Sequence, residues 1–178
     1  IAQGSRKDNP AESIAQALPK ADKAKGRRKA LPYSEVTTCL DAVRSSGASQ
    51  ATKLALEFLV LTAARSGEVR MAVWSEFDLE AAVWEIPGER MKMKRPHRVP
   101  LSPAALAILG QARALEDGSG LVFPGTKLGR PLSDMTLSKL VKELGFAADV
   151  HGFRTSFRTW AQERTNFPRE VAEAALAH

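Results

Sequence analysis

The chain has 178 residues, enough for one ordinary domain with a sizeable core, and 44% of them are hydrophobic, which excludes a largely disordered polypeptide. Twenty-six lysines and arginines against 20 acidic residues leave a formal charge of +6 and a pI of about 9.7, which favours a polyanionic partner such as nucleic acid. A single cysteine excludes an internal disulfide framework, and three histidines beside it argue against a zinc site.

Residues 1–30 read differently from the rest. Gly4-Ser5-Arg6-Lys7-Asp8-Asn9-Pro10 is turn-rich, and residues 11–18 predict a short helix. Lys20, Lys23, Lys25, Arg27, Arg28 and Lys29 then stand against one acid, Asp22. That composition suits an extended linker, with Arg27 and Arg28 able to track phosphates; a solvated tether is the bland alternative. The sequence opens on Ile1 without a secretory pattern, so it is expected to be a fragment that lies in a reducing cytoplasm.

From Leu31 onward the pattern is regular. Ser34 is a candidate N-cap for a helix carrying Val36, Cys39, Leu40 and Val43 on one face, closed near Gly47. Ser49 starts a second helix whose residues 54–61 are apolar nearly all round, so it should be central and buried. The longest apolar run, residues 54–64, is broken by Glu57 and is too short to span a bilayer. Val73-Trp74 and Phe77 lead into Val83-Trp84-Glu85-Ile86, then Pro87-Gly88, then His97-Arg98-Val99-Pro100-Leu101, which predicts a small antiparallel sheet. Ser102-Pro103 opens a helix with Ala105, Ile108, Leu109 and Ala112 on one face. Ser133 is a candidate cap for a helix carrying Leu137, Leu140, Val141 and Leu144. Residues 152–164 predict an amphipathic helix with Phe153, Phe157, Trp160 and Ala161 inward and Arg154 and Arg158 on an adjoining stripe. A last helix begins near Pro168. The fold class is therefore α+β, mainly helical, with one small sheet.

Three places concentrate groups able to bind and protonate a phosphodiester. His151 precedes the helix that carries Arg154, where free backbone N–H groups favour an anion. Arg65 follows the apolar helix and precedes Ser66-Gly67-Glu68, so that Glu68 can hold its guanidinium; a structural salt bridge is the ordinary meaning. Arg90, Lys92, Lys94, Arg95 and Arg98, with His97 among them and no acid, occupy the connection between two predicted strands. A lysine on such a hairpin can reach a groove and protonate a leaving oxygen, although a solvated basic loop is the usual reading.

The order and wording of these strings are what make them specific. Leu61-Thr62-Ala63-Ala64-Arg65-Ser66-Gly67-Glu68-Val69, Arg90-Met91-Lys92-Met93-Lys94-Arg95-Pro96-His97-Arg98-Val99-Pro100-Leu101, His151-Gly152-Phe153-Arg154 and Leu176-Ala177-His178 together resemble the catalytic domain of tyrosine recombinases, the phage-integrase family. The Met-Lys-Met string looks most like integrases of prophages and genomic islands. The resemblance covers residues 31–178, as the catalytic domain, and implies that residues 1–30 are the end of a core-binding domain and the interdomain linker.

The resemblance implies a site-specific recombinase that cuts and rejoins double-stranded DNA through a 3′-phosphotyrosine link, as a homotetramer in the bacterial cytoplasm, without metal or other cofactor and without a membrane partner. Arg65 and Arg154 would clamp the scissile phosphate, with Glu68 in support. Lys92, seven residues before Val99, would be the general acid, with Lys94 as fallback. His151 would assist proton transfer, and His178 would bind the phosphate. Lys94, Arg95, Arg98, Arg27 and Arg28 are expected DNA contacts. The family nucleophile is a tyrosine shortly beyond the last histidine, whereas the one tyrosine here, Tyr33, lies far upstream. The 178 residues are thus expected to be truncated before the nucleophile and inactive in cleavage. A type IB DNA topoisomerase, which uses a similar residue set, and a non-catalytic DNA-binding fragment are the alternatives; the hairpin wording argues against the first.

Overall fold

A computed structural model describes residues 29–91 and 93–177 of the protein. The expected linker arginines Arg27 and Arg28, and the short helix expected over residues 11–18, lie outside the described residues. Among those described, α1 (Val36–Ser45) and α2 (Gln50–Thr62) are followed by the short α3 (Ser66–Arg70). The sheet strands β1 (Phe77–Asp78), β2 (Val83–Ile86) and β3 (His97–Pro100) come next. Four helices complete the chain: α4 (Pro103–Ala112), α5 (Thr136–Glu143), α6 (Gly152–Arg164) and α7 (Arg169–Ala175). No helix among the described residues is long and apolar enough to cross a membrane.

Helix α2 is the axis of the domain. The Ser49 hydroxyl accepts the Thr52 N–H at its start, as expected of an N-cap. Leu54, Ala55, Leu56, Phe58 and Leu59 are buried on all sides of it. The single charge in this apolar stretch, Glu57, is also buried, and Arg44 from α1 holds both its oxygens, at 2.8 and 3.1 Å. A forked guanidinium matches the carboxylate geometry, which is how a charge is tolerated on an otherwise apolar helix. Val60 and Leu61 are the exception to the all-round burial, Leu61 being exposed.

The sheet is antiparallel in the order β1-β2-β3, with Trp84 opposite Phe77 on one side and Val99 on the other. Alternation sends Trp84 and Ile86 into the core and leaves Glu85 outside. Phe77 stacks on Trp84 at 5.4 Å between ring centroids, and Phe58 of α2 meets Trp84 at 5.4 Å and Phe123 at 5.6 Å. These contacts fix the sheet against the central helix. The Trp84 indole N–H donates to Glu76, whose carboxylate also takes the Arg90 guanidinium at 2.6 Å, so the polar edge of the Trp84 ring is satisfied.

Two helix starts differ from expectation. Ser34 lies inside a tight turn, Tyr33–Glu35, and makes no capping bond, so α1 begins one residue later than a Ser34 cap would place it. Ser133 is followed by a turn in which its hydroxyl meets that of Thr136, and α5 begins only at Thr136.

The segment before α1 is seated on the start of α6. The Asp149 N–H donates to the Lys29 carbonyl at 2.9 Å, and the Ser156 hydroxyl donates to the Leu31 carbonyl. Gly152 allows this approach: a Cβ there would collide with the Lys29 carbonyl oxygen and lie 2.9 Å from the Ala30 Cα. Backbone cannot swing aside as a flexible side chain can. Gly152→Ala should therefore destabilise the domain by about 1–3 kcal/mol, the usual cost of overpacking, measured by denaturant titration. An unchanged midpoint would show that the 29–31 segment is free to move off.

Candidate active site

The left-handed turn at the end of α2 aims the first arginine. Ala63 has φ 50° and ψ 25°, a conformation that costs a residue with a Cβ roughly 1–2 kcal/mol. Extended backbone at Arg65 then leads into α3. Glu68, three residues on, accepts the Arg65 backbone N–H at 2.7 Å with one oxygen and the Arg65 guanidinium at 2.6 Å with the other. One carboxylate thus fixes the start of the helix and the direction of the side chain. It is itself buried, whereas Arg65 keeps 24% of its side-chain surface open.

Arg154 is buried, with only 4% exposed. Its Nη1 donates to the Ala63 carbonyl at 2.5 Å and its Nη2 to the Leu176 carbonyl at 2.5 Å. The guanidinium therefore ties together the end of α2, the start of α6 and the end of α7. Arg158 instead faces outward and pairs with Glu173 of α7 at 2.5 Å. Trp160, expected inward, is also substantially exposed, while Phe153 and Ala161 are buried as expected.

Burial, with the nearby Arg65 charge as a second cause, lowers the Arg154 pKa to about 10, and Glu68 opposes the shift. Arg154 remains a cation at neutral pH. Two guanidinium groups therefore lie within electrostatic reach of each other and of one carboxylate, a local excess of positive charge suited to a phosphodiester.

His97 joins this group from β3. Its ring lies within electrostatic reach of Glu68, Arg154 and Arg65 and near the backbone of Ala175. Desolvation holds its pKa below the ordinary imidazole range; the two arginines push the same way, and Glu68 and the nearby Ala175 backbone oppose. The sequence reading placed His97 only as a neighbour of the basic run. The available signal was alternation, because His97 and Val99 share the inward face of β3.

The remaining candidates are placed as follows. His151 is the exposed N-cap of α6, three residues before Arg154. Lys94 borders an open groove of about 600 Å³ that it shares with Arg65, Glu68, Arg90 and Met91. Arg95 lines a smaller cavity with His97 and Ala177. Arg98 projects from the opposite face of β3, beside its cross-strand neighbour Glu85 at 3.8 Å. Lys92 and His178 lie outside the described residues. The Tyr33 hydroxyl accepts from Arg164 at 3.0 Å, ten residues and about 15 Å along α6 from Arg154. It is remote from the paired guanidinium groups.

Among known proteins, the Phage integrase family model matches residues 29–178. The chain belongs to that family. The prophage integrase IntA of Escherichia coli K12 is 35% identical over 172 residues, covering 95% of this chain and 41% of IntA. The integrase-family chain thus spans well under half the length of that relative. A lambda integrase (75–356) dimer bound to a COC′ core site is similar in fold, with a TM-score of 0.67 at 23% identity over 94% of this chain and 67% of that one. So is a lambda integrase tetramer bound to a Holliday junction, with a TM-score of 0.66 at 23% identity over 94% of this chain and 54% of that one.

Glu68→Gln removes the charge that pairs with Arg65 and opposes the Arg65–Arg154 repulsion, while keeping the size. Breaking this partly buried pair should lower stability by roughly 1–3 kcal/mol, read as a shift in the denaturation midpoint. A variant as stable as the parent would mean that Arg65 needs no carboxylate to hold its position.

Proposed function

We propose that this domain is the catalytic part of a site-specific DNA recombinase, an integrase of a mobile element. The observation that carries the reading is the buried Arg154 beside Arg65 with Glu68 as their shared carboxylate, in a chain of +6 formal charge. Arg65 and Arg154 bind the non-bridging oxygens of one scissile phosphate and stabilise the negative charge that grows in its pentacoordinate transition state. Preorganisation is the point: the guanidinium groups are fixed by Glu68 and by two backbone carbonyls before any DNA arrives.

A tyrosine hydroxyl attacks the phosphorus in line and breaks the bond to the 5′-oxygen, leaving a 3′-phosphotyrosine. Lys92 protonates the departing 5′-oxygen, and His151 assists proton transfer from the nucleophile. His178 hydrogen-bonds the phosphate. The phosphotyrosine conserves the bond energy, so a 5′-hydroxyl from another strand can reverse the chemistry and complete exchange. Lys94, Arg95, Arg98, Arg27 and Arg28 contact the DNA backbone. The working form is a homotetramer on double-stranded DNA in the bacterial cytoplasm, a reading that leans on the junction-bound tetramer of similar fold.

DNA affinity should fall steeply with salt. Even two neutralised phosphates predict a loss of about tenfold between about 50 and 200 mM salt, measured by fluorescence anisotropy. Binding indifferent to salt would count against a phosphate-tracking surface.

The roles of the arginines are tested in a tyrosine-bearing full-length version of the protein. Arg154→Ala, or the milder Arg154→Lys, should abolish covalent attachment to DNA while leaving much of the binding. Attachment at the parent rate would refute the assigned role.

A further inference from the structure

Helix α3 starts at the Arg65 cap and carries Glu68, yet at five residues it closes few bonds of its own. Its position is set from outside. Val69 is buried in the core, and the Arg70 Nη1 donates to the Leu132 carbonyl at 2.6 Å. In the last turn the Met71 N–H goes to Gly67 and the Ala72 N–H to Val69, which leaves the Glu68 carbonyl for a donor from elsewhere. That donor is Arg90, 22 residues on. Its Nη1 gives to the Glu68 carbonyl at 3.3 Å while its Nη2 gives to the Glu76 carboxylate at 2.6 Å. The Arg90 side chain is only 18% exposed, and its backbone lies in the tight turn Gly88–Arg90 that follows β2. The open groove of about 600 Å³ is lined by Gly67, Glu68 and Met71 from the α3 segment and by Glu89, Met91 and Lys94 from the hairpin connection. One guanidinium joins the two.

We propose that Arg90 is a positioning residue: by bridging the Glu68 carbonyl and the Glu76 carboxylate it docks α3 against the base of the hairpin and so holds Arg65 in its direction. Glu76 is a firm anchor, because the Trp84 indole N–H donates to the same oxygen at 3.0 Å and Trp84 is fully buried. Glu68 in turn holds Arg65 twice, by the backbone N–H and by the guanidinium. A displacement of the Glu68 backbone would therefore carry both contacts with it. The bridge needs a fork. A guanidinium offers separate N–H groups in fixed directions, whereas a lysine ammonium is a compact charge that would stay with the carboxylate. Positive charge at this position is thus insufficient; its geometry is what reaches α3.

The kinetic arm of the test rests on the recombinase reading; the exchange arm does not. In the full-length, tyrosine-bearing protein, Arg90→Lys keeps a cation for Glu76 and gives up the Glu68 carbonyl. It should slow single-turnover DNA cleavage by about 10- to 100-fold, the scale of a misplacement approaching 1 Å, while DNA affinity changes less than about threefold. If Arg90 only filled space or neutralised Glu76, the lysine variant would cleave at the parent rate, and that outcome would overturn the proposal. Weaker binding with a salt slope reduced by about one would make Arg90 a direct phosphate contact and overturn it as well. On the 178-residue chain, hydrogen exchange read by NMR should show the Arg65 and Val69 amides of Arg90→Lys exchanging about tenfold faster, with the Leu56 and Phe58 amides of α2 unchanged. Equal protection at Arg65 and Val69 in variant and parent would sink the bridge. Protection lost in α2 too would make the role one of global stability, which also overturns it. A parent protein that fails to cleave would refute the recombinase reading and leave the exchange result to decide the bridge.

Discussion

The guanidinium of Arg154 is the constraint on which the rest of the site depends. Taking it out of water costs several kcal/mol, and two charge-assisted bonds of roughly 1.5–3 kcal/mol each offset that cost only if both acceptors stay in place. Those acceptors, Ala63 and Leu176, are 91 and 22 residues away in the chain. Each belongs to a helix end whose carbonyl would otherwise lack a partner. The same side chain therefore caps α2 and α7 and presents a cation beside Arg65. Assembly of the helices and assembly of the anion site are one event.

Glu68 supplies the complementary constraint. Without it, two like charges would face each other across a poorly solvated space. With both of its oxygens on Arg65, it sets the direction of that side chain and moderates the repulsion felt by Arg154. The aromatic packing of Phe58, Trp84 and Phe77 holds the sheet against α2. Because His97 stands on β3 in that sheet, it is carried to the same place.

Much of this was legible in the sequence where the determining contacts are local. The Ser49 and Ser102 caps, the buried faces of α2 and α4, the strand alternation around Trp84, and the three-residue spacing of Arg65 and Glu68 act within a few residues. The misplacement of Trp160 and the unforeseen burial of Arg154 share one cause. Helical periodicity gives the faces of α6 but not what lies opposite them, and an arginine facing two distant carbonyls looks the same in sequence as one facing water. His97 is brought near Arg65, Glu68 and Arg154 by contacts between distant parts of the chain, beyond the reach of any local pattern. The glycine of His151-Gly152-Phe153-Arg154 is explained by steric room for Lys29, which no local pattern reveals.

Cys39 carries a practical consequence. It is the one cysteine of the 178 residues, fully enclosed in α1, and burial pushes its thiol up to about 11. At neutral pH it is neither accessible nor ionised enough to react with an alkylating dye. A cysteine introduced on the exposed hairpin would thus be the sole reactive thiol, allowing a fluorophore to report hairpin motion on DNA without first removing the native residue. Modification of Cys39 itself would mark molecules whose core has opened, giving a chemical clock for unfolding in the same sample.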